Sequence, residues 1–268
     1  MILTVNIGNT HIHLGLFIRG ALRQTWRLSS RPLRTSDEYA LLLRGLLGEG
    51  VPLVGAVVSS VVSQIEWPMA SAIEAEFKIA PLILDETTQI GLVNGYAHPS
   101  EVGMDRLANA VGACRLFDAP IMALDFGTAV TLDYVAAPGD GADAPVYVGG
   151  AILPGIEMSA DALFQGTSKL PRVSRVEPVP RVLGRTTVES IRAGLIHGFV
   201  GAITMLVERA REEIGMACRV VATGGNALDF QPHLPFLHAV EPHLTLYGLH
   251  HIHGLNRNDP SPTTERKP

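Results

Sequence analysis

The chain has 268 residues, of which 47% are hydrophobic and 18% are charged, a composition typical of a globular protein with one large or two medium domains. Its formal net charge of -5, without a basic stripe, argues against general nucleic-acid binding. No window shows the long uncharged apolar run of a membrane helix, and no signal peptide is visible. Cys114 and Cys218 lie far apart in apolar contexts, which indicates buried thiols and a cytoplasmic protein.

The first third of the chain predicts the order β-β-β-α-β-α-β. The segments ILTVN, IHLGLFI and LRQTWRLS predict three strands joined by short turns. Thr35 and Glu38 have the spacing of a capping box, so a helix is predicted to start there and to end at Gly48. GAVVSSV predicts a buried strand, SQIEWPMASAIEAEFK a helix with a second capping pair at Ser63 and Glu66, and PLIL a short strand.

The second part of the chain repeats this opening after a predicted helix at residues 104–117. IMALD, AVTLDYV and VYVGGAIL predict three strands with glycine-containing turns between them. Helices are predicted near 155–165, over about 187–213 and at 244–253, with a strand in CRVVATGG. The tail, residues 256–268, is polar and rich in proline and charge, so we expect it to be disordered.

The two halves align through their first hairpins. Placing Asn6 on Asp125 superimposes three more pairs, namely Gly8 with Gly127, Asn9 with Thr128, and Leu14 with Asp133. Two copies of a three-stranded start followed by αβ units predict a duplicated α/β fold. The expected domains are residues 1–117 and 118–255, with a cleft between them.

The repeated hairpin turn has the chemistry of a phosphate site. A tight glycine turn exposes several backbone N–H groups at one point and lets an anion approach closely. Asn9, Thr10 and Thr128 add polar side chains, and an acidic residue at the strand end can hold Mg²⁺ directly or through water. A single hairpin of this kind is more simply an ordinary turn, but the duplication favours two turns that bind one nucleotide from both sides. No Walker loop is present.

Two further motifs allow a structural or a functional interpretation. In EVGMDRLANAVGA, Asp105 and Arg106 begin a helix, and the spacing alone favours an acid that complements the helix dipole. The functional alternative is a carboxylate that accepts a hydroxyl proton beside a charge-neutralising arginine. Thr187 is either a helix N-cap or a hydroxyl presented to a cleft. TGGNA offers a close backbone approach suited to a nucleotide base or ribose.

The histidine pairs predict surface positions and not metal sites. His11 and His13 alternate on one strand and point the same way, but no third ligand is indicated, so a partly exposed hairpin face is favoured. His250 and His253 lie about one helical turn apart near the C-terminus, and a solvated helix face is favoured for them.

Several segments occur in the order typical of one family: VNIGNT, GMDRLANAVGA, DFGTAVTLD, GGAILPG, LP at 170–171, GRTTVESIRAG and TGGNA. The chain resembles the type III pantothenate kinases, within the superfamily of sugar kinases, actin and heat-shock chaperones. The resemblance implies a duplicated ribonuclease-H-like (actin-like) fold with a nucleotide cleft, and a homodimer. It implies ATP-dependent phosphorylation of pantothenate to 4'-phosphopantothenate, the first step of coenzyme A biosynthesis. Mg²⁺ with ATP and a monovalent cation, K⁺ or NH₄⁺, are the implied ions.

The resemblance also implies roles for individual residues. Asp105 is the implied proton acceptor and Asp125 the implied monovalent-cation ligand. The implied ATP contacts are Asn6, Ile7, Gly8, Asn9, Thr10, His11, Ile12, His13 and Thr128. The implied pantothenate contacts are Tyr96, Gly103, Met104, Asp105, Arg106 and Thr187.

One position departs from the family pattern, which typically has Asp where this chain has Asn6. Asn is nearly isosteric with Asp but neutral, so it offers an oxygen to a metal shell without charge. Losing an outer-shell partner typically costs about 10- to 100-fold in metal affinity or activity, which predicts a weaker Mg-ATP site. Asn6 therefore keeps open a catalytically weak nucleotide-binding regulator on the same scaffold. A superfamily kinase with a different hydroxylated substrate is a third function, and the segment around Asp105 and Thr187 argues against it.

Overall fold

The structure is a computed structural model that describes residues 1–139, 143–173, 176–177 and 179–257. It contains two mixed β-sheets with helices packed against both. Residues 258–268, which make up most of the tail expected to be disordered, lie outside the described residues, so that expectation stays a prediction.

The first half of the chain forms a five-stranded sheet. Its strands are β1 (Ile2–Ile7), β2 (His11–Ile18), β3 (Ala21–Ser29), β4 (Gly55–Ser60) and β5 (Leu82–Ile83). They lie in the order β3-β2-β1-β4-β5, with β1 antiparallel to β2 and parallel to β4. Its helices are α1 (Ser36–Leu47) and α2 (Ser63–Phe77).

The second half forms a similar sheet, which also includes strand β6 (Val93–Asn94) from the first half of the chain. The strands are β6 (Val93–Asn94), β7 (Ile121–Phe126), β8 (Ala129–Ala136), β9 (Val146–Pro154), β10 (Arg219–Thr223) and β11 (Ala239–Val240). Their order is β11-β10-β7-β8-β9-β6, so β9-β8-β7-β10-β11 matches β3-β2-β1-β4-β5 strand for strand. The predicted duplication is therefore confirmed in the topology, and β6 is an addition to the second sheet.

Four of the five remaining helices follow the sequence prediction closely, and the short α6 was not predicted. They are α3 (Met104–Phe117), α4 (Ile156–Gln165), α5 (Thr187–Ile214), the short α6 (Ala227–Phe230) and α7 (Leu244–Leu255).

The strand registers correct one detail of the predicted alignment. In the first hairpin Asn6 lies opposite His13, whereas in the second hairpin Asp125 lies opposite Thr131. The second turn is therefore one residue shorter than the first, and the return strands are offset by one position. Leu14 corresponds to Leu132 and not to Asp133, because a one-residue difference in a turn moves each side chain to the other face of the sheet.

Strand β1 is buried on both faces, and each face has a different partner. Leu3, Val5 and Ile7 are fully buried in a core shared with α1 and α2. The alternate positions, Thr4 and Asn6, face the opposite side, where α7 contacts β1. Asn6 therefore lies at the carboxyl end of a central strand, on the face directed toward the helices between the sheets.

Helices α3 and α7 pack against each other and connect the two halves. Helix α3, from the first half, contacts β7 and β8 of the second sheet, and α7, from the second half, contacts β1, β2 and β4. The helices approach closely because Gly112 and Gly248 face the opposite backbone. A Cβ on Gly112 would overlap the carbonyl of Leu244, and one on Gly248 would overlap that of Ala108. The boundary after residue 117 stays a prediction, since packing interlocks the two halves.

The helix starts confirm one capping prediction and correct two others. Thr35 and Glu38 form the predicted capping box at α1. Ser63 does not cap α2; it is the first helical residue, and the N-cap, Val62, makes no side-chain cap bond. At α5 the cap is Thr186, whose Oγ1 accepts from the Glu189 backbone at 3.2 Å, so Thr187 is not the cap.

One helix passes a composition test for membrane spans, and one expectation about a helix face is wrong. Helix α5 is long and apolar enough, by length and composition alone, to cross a membrane. This result is weak evidence for a membrane span, because core helices of soluble proteins pass the same test. One face of α5 lies in the hydrophobic core of the second half. His253 is buried and His250 stacks on Phe17 at 4.1 Å, so this face of α7 packs on the first sheet and is not solvated.

Candidate active site

The turns of the two hairpins meet. The hydroxyl oxygens of Thr10, in the turn between β1 and β2, and Thr128, in the turn between β7 and β8, are 2.9 Å apart and share a hydrogen bond. Both residues are exposed, as is Asn9. The two halves of the duplicated fold therefore place their glycine turns face to face, as the sequence analysis expected.

Buried neighbours hold each turn from behind. Ser30 donates its hydroxyl to the Gly8 carbonyl at 2.6 Å and its backbone N–H to the Thr10 carbonyl at 3.0 Å. Ile7 and Ile12, two of the expected ATP contacts, are fully buried in the first core, so only their backbone could reach a nucleotide. On the other side, the Gly155 N–H donates to the Thr128 carbonyl at 3.0 Å.

The two histidines of the first hairpin lie on β2, directly after the turn. His11 is exposed and His13 is partly buried, with their rings 6.3 Å apart. Burial and then the charge of Arg27 lower the pKa of His13 to about 4, so this ring is neutral at physiological pH. No group of three or more His, Cys, Asp or Glu side chains suited to a metal occurs in the part of the chain that the structure describes.

Asp125 is the penultimate residue of β7, the position that Asn6 occupies in β1, and a hydrogen-bond network orients it. Its Oδ2 accepts a hydrogen bond from Asn109 Nδ2 of α3 at 2.8 Å, and Asn109 Oδ1 accepts from Thr245 Oγ1 of α7 at 2.6 Å. Burial raises the pKa of Asp125 to about 6; the Asn109 bond opposes the rise, and the charges of Asp105 and Asp133 add to it. The ionised form of Asp125 therefore destabilises the fold, and hydrogen bonds that run through α3 and α7 keep its carboxylate in one orientation.

Asp105 lies in the first turn of α3, whose N-cap is Gly103. Its Oδ1 accepts from the Arg106 backbone N–H at 2.8 Å, and a Cβ on Gly103 would lie only 2.6 Å from that oxygen. Burial raises the pKa of Asp105, and the negative charge of Asp133 adds to the rise. A carboxylate with a raised pKa is a better proton acceptor, because proton-transfer catalysis improves as the pKa approaches the working pH.

Arg106 forms a buried ion pair with Asp133. Its Nη2 lies 2.6 Å from Asp133 Oδ1, and both side chains are at least nine-tenths buried. Tyr147 donates its hydroxyl to the same oxygen at 2.7 Å, and Thr131 donates to Asp133 Oδ2 at 3.1 Å. The guanidinium carbon also lies 5.9 Å from the Tyr147 ring centroid. Arg106 thus fixes the start of α3 on β8 and β9.

Tyr96 and Thr187, two expected pantothenate contacts, have different surroundings. Tyr96 follows β6, which pairs with β9, and its ring lies 6.2 Å from that of Tyr147. The added strand therefore brings Tyr96 beside the Arg106 ion pair. Thr187 is exposed at the start of α5, and no hydrogen bond within the described residues joins it to the others.

Two glycine motifs that the sequence analysis singled out press against the second hairpin. A Cβ on Gly155 would overlap the carbonyl oxygens of Thr128 and Gly127. Gly224 has a φ of +94°, and a Cβ there would overlap Asp125 Oδ1 and the backbone of Phe126. Close packing therefore requires glycine at both positions, and each glycine fixes the geometry of the turn.

Sequence analysis missed several polar residues of the site: Asn109, Thr131, Asp133, Tyr147 and Thr245. Asp133 gave a usable signal, because a single acid inside the apolar strand AVTLDYV must find a buried partner. Asn109 gave none, since an amide in a helix of small residues predicts nothing about what it contacts.

The donor atoms available in the cleft suit hard cations. Asp125 provides a carboxylate, while Asn6 Oδ1 is buried and has no hydrogen-bond partner within the described residues. Oxygen ligands of this kind suit Mg²⁺ and K⁺, and Mg²⁺ is usually held by one or two carboxylates together with substrate phosphates and waters. The oxygen atoms of Asp125 and Asn6 therefore have the chemistry that hard cations such as Mg²⁺ and K⁺ require.

A cavity of about 450 Å³ lies beside these residues and not among them. It shares only Met104 with the expected substrate contacts, and its walls also include Ile90, Leu107 and Leu255. Met104 therefore faces this cavity while its neighbour Asp105 faces the carboxylates.

Comparisons with known proteins identify the family. The model of the type III pantothenate kinase family matches residues 2–209. The type III pantothenate kinase of Myxococcus xanthus is 40% identical over 260 residues, which span 96% of this chain and 99% of that protein. The chain belongs to the type III pantothenate kinase family. This family consists of soluble metabolic enzymes, and its members are kinases.

Solved structures agree on the fold. A protein described as a Baf family transcriptional activator from Campylobacter jejuni has a TM-score of 0.60 at 16% identity, covering 95% of this chain and 98% of that one. A polyphosphate/ATP-glucomannokinase from Arthrobacter has a TM-score of 0.50 at 12% identity, covering 96% and 99%. The duplicated α/β fold of the sugar-kinase and actin type expected for type III pantothenate kinases is thus confirmed.

Proposed function

We propose that the protein phosphorylates pantothenate with ATP to give 4'-phosphopantothenate, the first step of coenzyme A biosynthesis. The observation that carries this proposal is the Thr10–Thr128 hydrogen bond, because it brings two glycine turns together in a chain of the pantothenate kinase family. Two facing turns can bind one polyphosphate through their backbone N–H groups.

In this mechanism the ATP phosphates lie between the two turns, contacted by Gly8, Asn9, Thr10 and Thr128. Asp105 aligns the primary alcohol of pantothenate and accepts its proton. The alcohol oxygen forms a bond to the γ-phosphorus while the bond to the β,γ-bridging oxygen breaks, and ADP leaves. Mg²⁺, when bound with ATP, neutralises charge on the phosphates. Positioning and electrostatic stabilisation supply most of the catalysis in such transfers.

The remaining expected contacts are assigned by the same proposal. Tyr96, Gly103, Met104, Arg106 and Thr187 bind pantothenate, and Asp125 binds K⁺ or NH₄⁺. The active form is a cytoplasmic homodimer that needs no membrane or nucleic acid. The alternative of a catalytically weak regulator gains no support from the described residues or from the relatives.

A coupled ADP-release assay tests this function. Wild-type protein should release ADP with pantothenate and ATP, and more rapidly with K⁺ or NH₄⁺ than without either ion. ADP release with a sugar but not with pantothenate would assign a different kinase activity. Nucleotide binding without turnover on either acceptor would establish the regulator instead.

A further inference from the structure

Ser59, in β4, is a buried hydroxyl with no evident structural purpose. It is fully buried, and its Oγ has no hydrogen-bond partner within the described residues. A buried polar group without a partner destabilises a fold, so a retained one calls for an explanation.

The neighbouring serine makes the contrast clear. Ser60 Oγ donates to the Val62 carbonyl and accepts from the Val62 backbone N–H, both at 3.0 Å. Ser60 is thus explained by the turn that leads into α2. Ser59 is adjacent in sequence but has no equivalent local role.

Ser59 lies beside the first hairpin of the proposed nucleotide site. In the parallel register of β1 and β4 it is directly opposite Asn6. Neighbouring residues at one register position project from the same face of a sheet. Both side chains therefore point toward α3 and α7, and Asn6 Oδ1 is also buried and unpartnered within the described chain.

The end of β4 also adjoins the proposed acceptor site. A Cβ on Gly103, the N-cap of α3, would lie 3.6 Å from Val61 Cγ1, just beyond β4. Asp105 follows two residues after Gly103. Ser59 thus lies on a strand that pairs with β1 of the first hairpin and contacts α3, the helix that carries Asp105.

The chemistry of the two atoms limits what they can bind. An amide oxygen only accepts hydrogen bonds, so its partner is a cation or a donor and not a phosphate oxygen. A serine hydroxyl beside it can accept as well. Mg²⁺ dehydrates reluctantly and keeps several waters, each of which is a strong donor.

We propose that Ser59 Oγ and Asn6 Oδ1 together bind the hydrated Mg²⁺ that accompanies ATP, by accepting hydrogen bonds from its waters. This inference rests on the proposed function, since it takes the nucleotide to lie between the two turns. Ser59 would then add a second neutral oxygen acceptor beside Asn6, where the family pattern has a charged Asp.

Ser59→Ala tests the proposal, with Ser60→Ala as the matched control. Calorimetric titration with a non-hydrolysable ATP analogue should show about a 10-fold loss of affinity for Ser59→Ala in Mg²⁺ and no loss in EDTA. The melting temperature of ligand-free Ser59→Ala should equal or exceed that of wild type, because an unsatisfied polar group has been removed. Ser60→Ala should melt lower and keep its Mg²⁺-dependent affinity.

A second variant, Ser59→Cys, keeps the side-chain size but offers a weak acceptor, so it should lose affinity in the same Mg²⁺-dependent way. Equal losses with and without Mg²⁺, or affinity like that of Ser60→Ala, would refute the role of Ser59. Failure of the proposed function is a separate result: wild-type protein would bind the Mg²⁺-nucleotide normally and release no ADP with pantothenate.

Discussion

Thr10 and Thr128 are 118 residues apart in the chain, yet their hydroxyl oxygens share a hydrogen bond of 2.9 Å. Each belongs to the first turn of its half of the duplicated fold. The contact therefore joins equivalent points of the two halves at the mouth of the cleft. Because both side chains are exposed, their hydroxyls can turn from each other to a bound phosphate.

Removing either hydroxyl should weaken ATP binding. Thr10→Ala and Thr128→Ala should each raise the KM for ATP about 3- to 10-fold, because a neutral hydrogen bond contributes about 0.5–1.5 kcal/mol. The double variant should lose less than the product of the two, since the residues contact each other. Steady-state kinetics measures all three, with Thr25→Ala on the exposed strand β3 as the control. Strictly multiplicative effects would contradict a shared phosphate site.

Asp105→Asn should abolish turnover while the protein stays folded, because the amide cannot accept the alcohol proton. In wild-type protein kcat should rise with pH through an apparent pKa above the usual aspartate range, since burial raises the pKa of Asp105. Asp37→Asn is the matched control, because Asp37 also lies in the first turn of a helix but is exposed. Turnover of Asp105→Asn near the wild-type rate would disprove the assignment of the proton acceptor.

Asp125→Asn should make the protein more stable at neutral pH. The folded-state pKa of Asp125 is about 6, above the ordinary 3.8, so the folded state favours the protonated form. Wild-type stability should therefore fall by up to about 3 kcal/mol as the pH rises from about 4 to 6, at about 1.36 kcal/mol per unit. Urea denaturation across this range should show no such fall for Asp125→Asn, which should also lose activation by K⁺ or NH₄⁺.

Asp85→Asn is the control for this pH dependence, because its sign is opposite. Hydrogen bonds from Thr87 and Thr88 lower the pKa of Asp85, so its ionised form stabilises the fold and that contribution is lost as the pH falls. Asp85→Asn should thus be less stable than wild type at neutral pH. An Asp125→Asn variant that is also less stable than wild type at neutral pH would contradict the claim that the ionised Asp125 carboxylate destabilises the fold.

Tyr147→Phe should weaken both stability and pantothenate binding. It removes a donor to the fully buried Asp133, and a hydrogen bond to a charged group contributes about 1.5–3 kcal/mol. The KM for pantothenate should rise more than kcat falls, because the ion pair that positions the start of α3 is loosened. Tyr134→Phe is the control, since that hydroxyl makes no hydrogen bond to the described residues. Urea denaturation measures the stability of the two variants, and steady-state kinetics measures their kcat and their KM for pantothenate.

Local sequence was a good guide to the elements and to the turns. The alternation of apolar residues predicted each strand of the two opening hairpins, because burial on one or both faces of a sheet leaves a direct mark on composition. The capping box at Thr35 was predicted correctly since all its atoms lie within one turn of chain. The misplaced caps at Ser63 and Thr187 each differ from the true one by a single residue. At α5 two adjacent threonines compete for the cap, whereas at α2 the cap is Val62, which has no side-chain acceptor.

The sequence by itself determined the duplicated order of the longer strands and helices, the glycine turns and the family motifs, but not the short elements β6, α6 and β11. Only the tertiary structure decided that Thr10 meets Thr128, that Arg106 is held by Asp133, and that His253 is buried. It also decided that Ser59 lies beside Asn6 without a partner in the described chain. The physical reason is that backbone conformation depends on near neighbours, whereas the partner of a buried polar group is set by how distant segments pack.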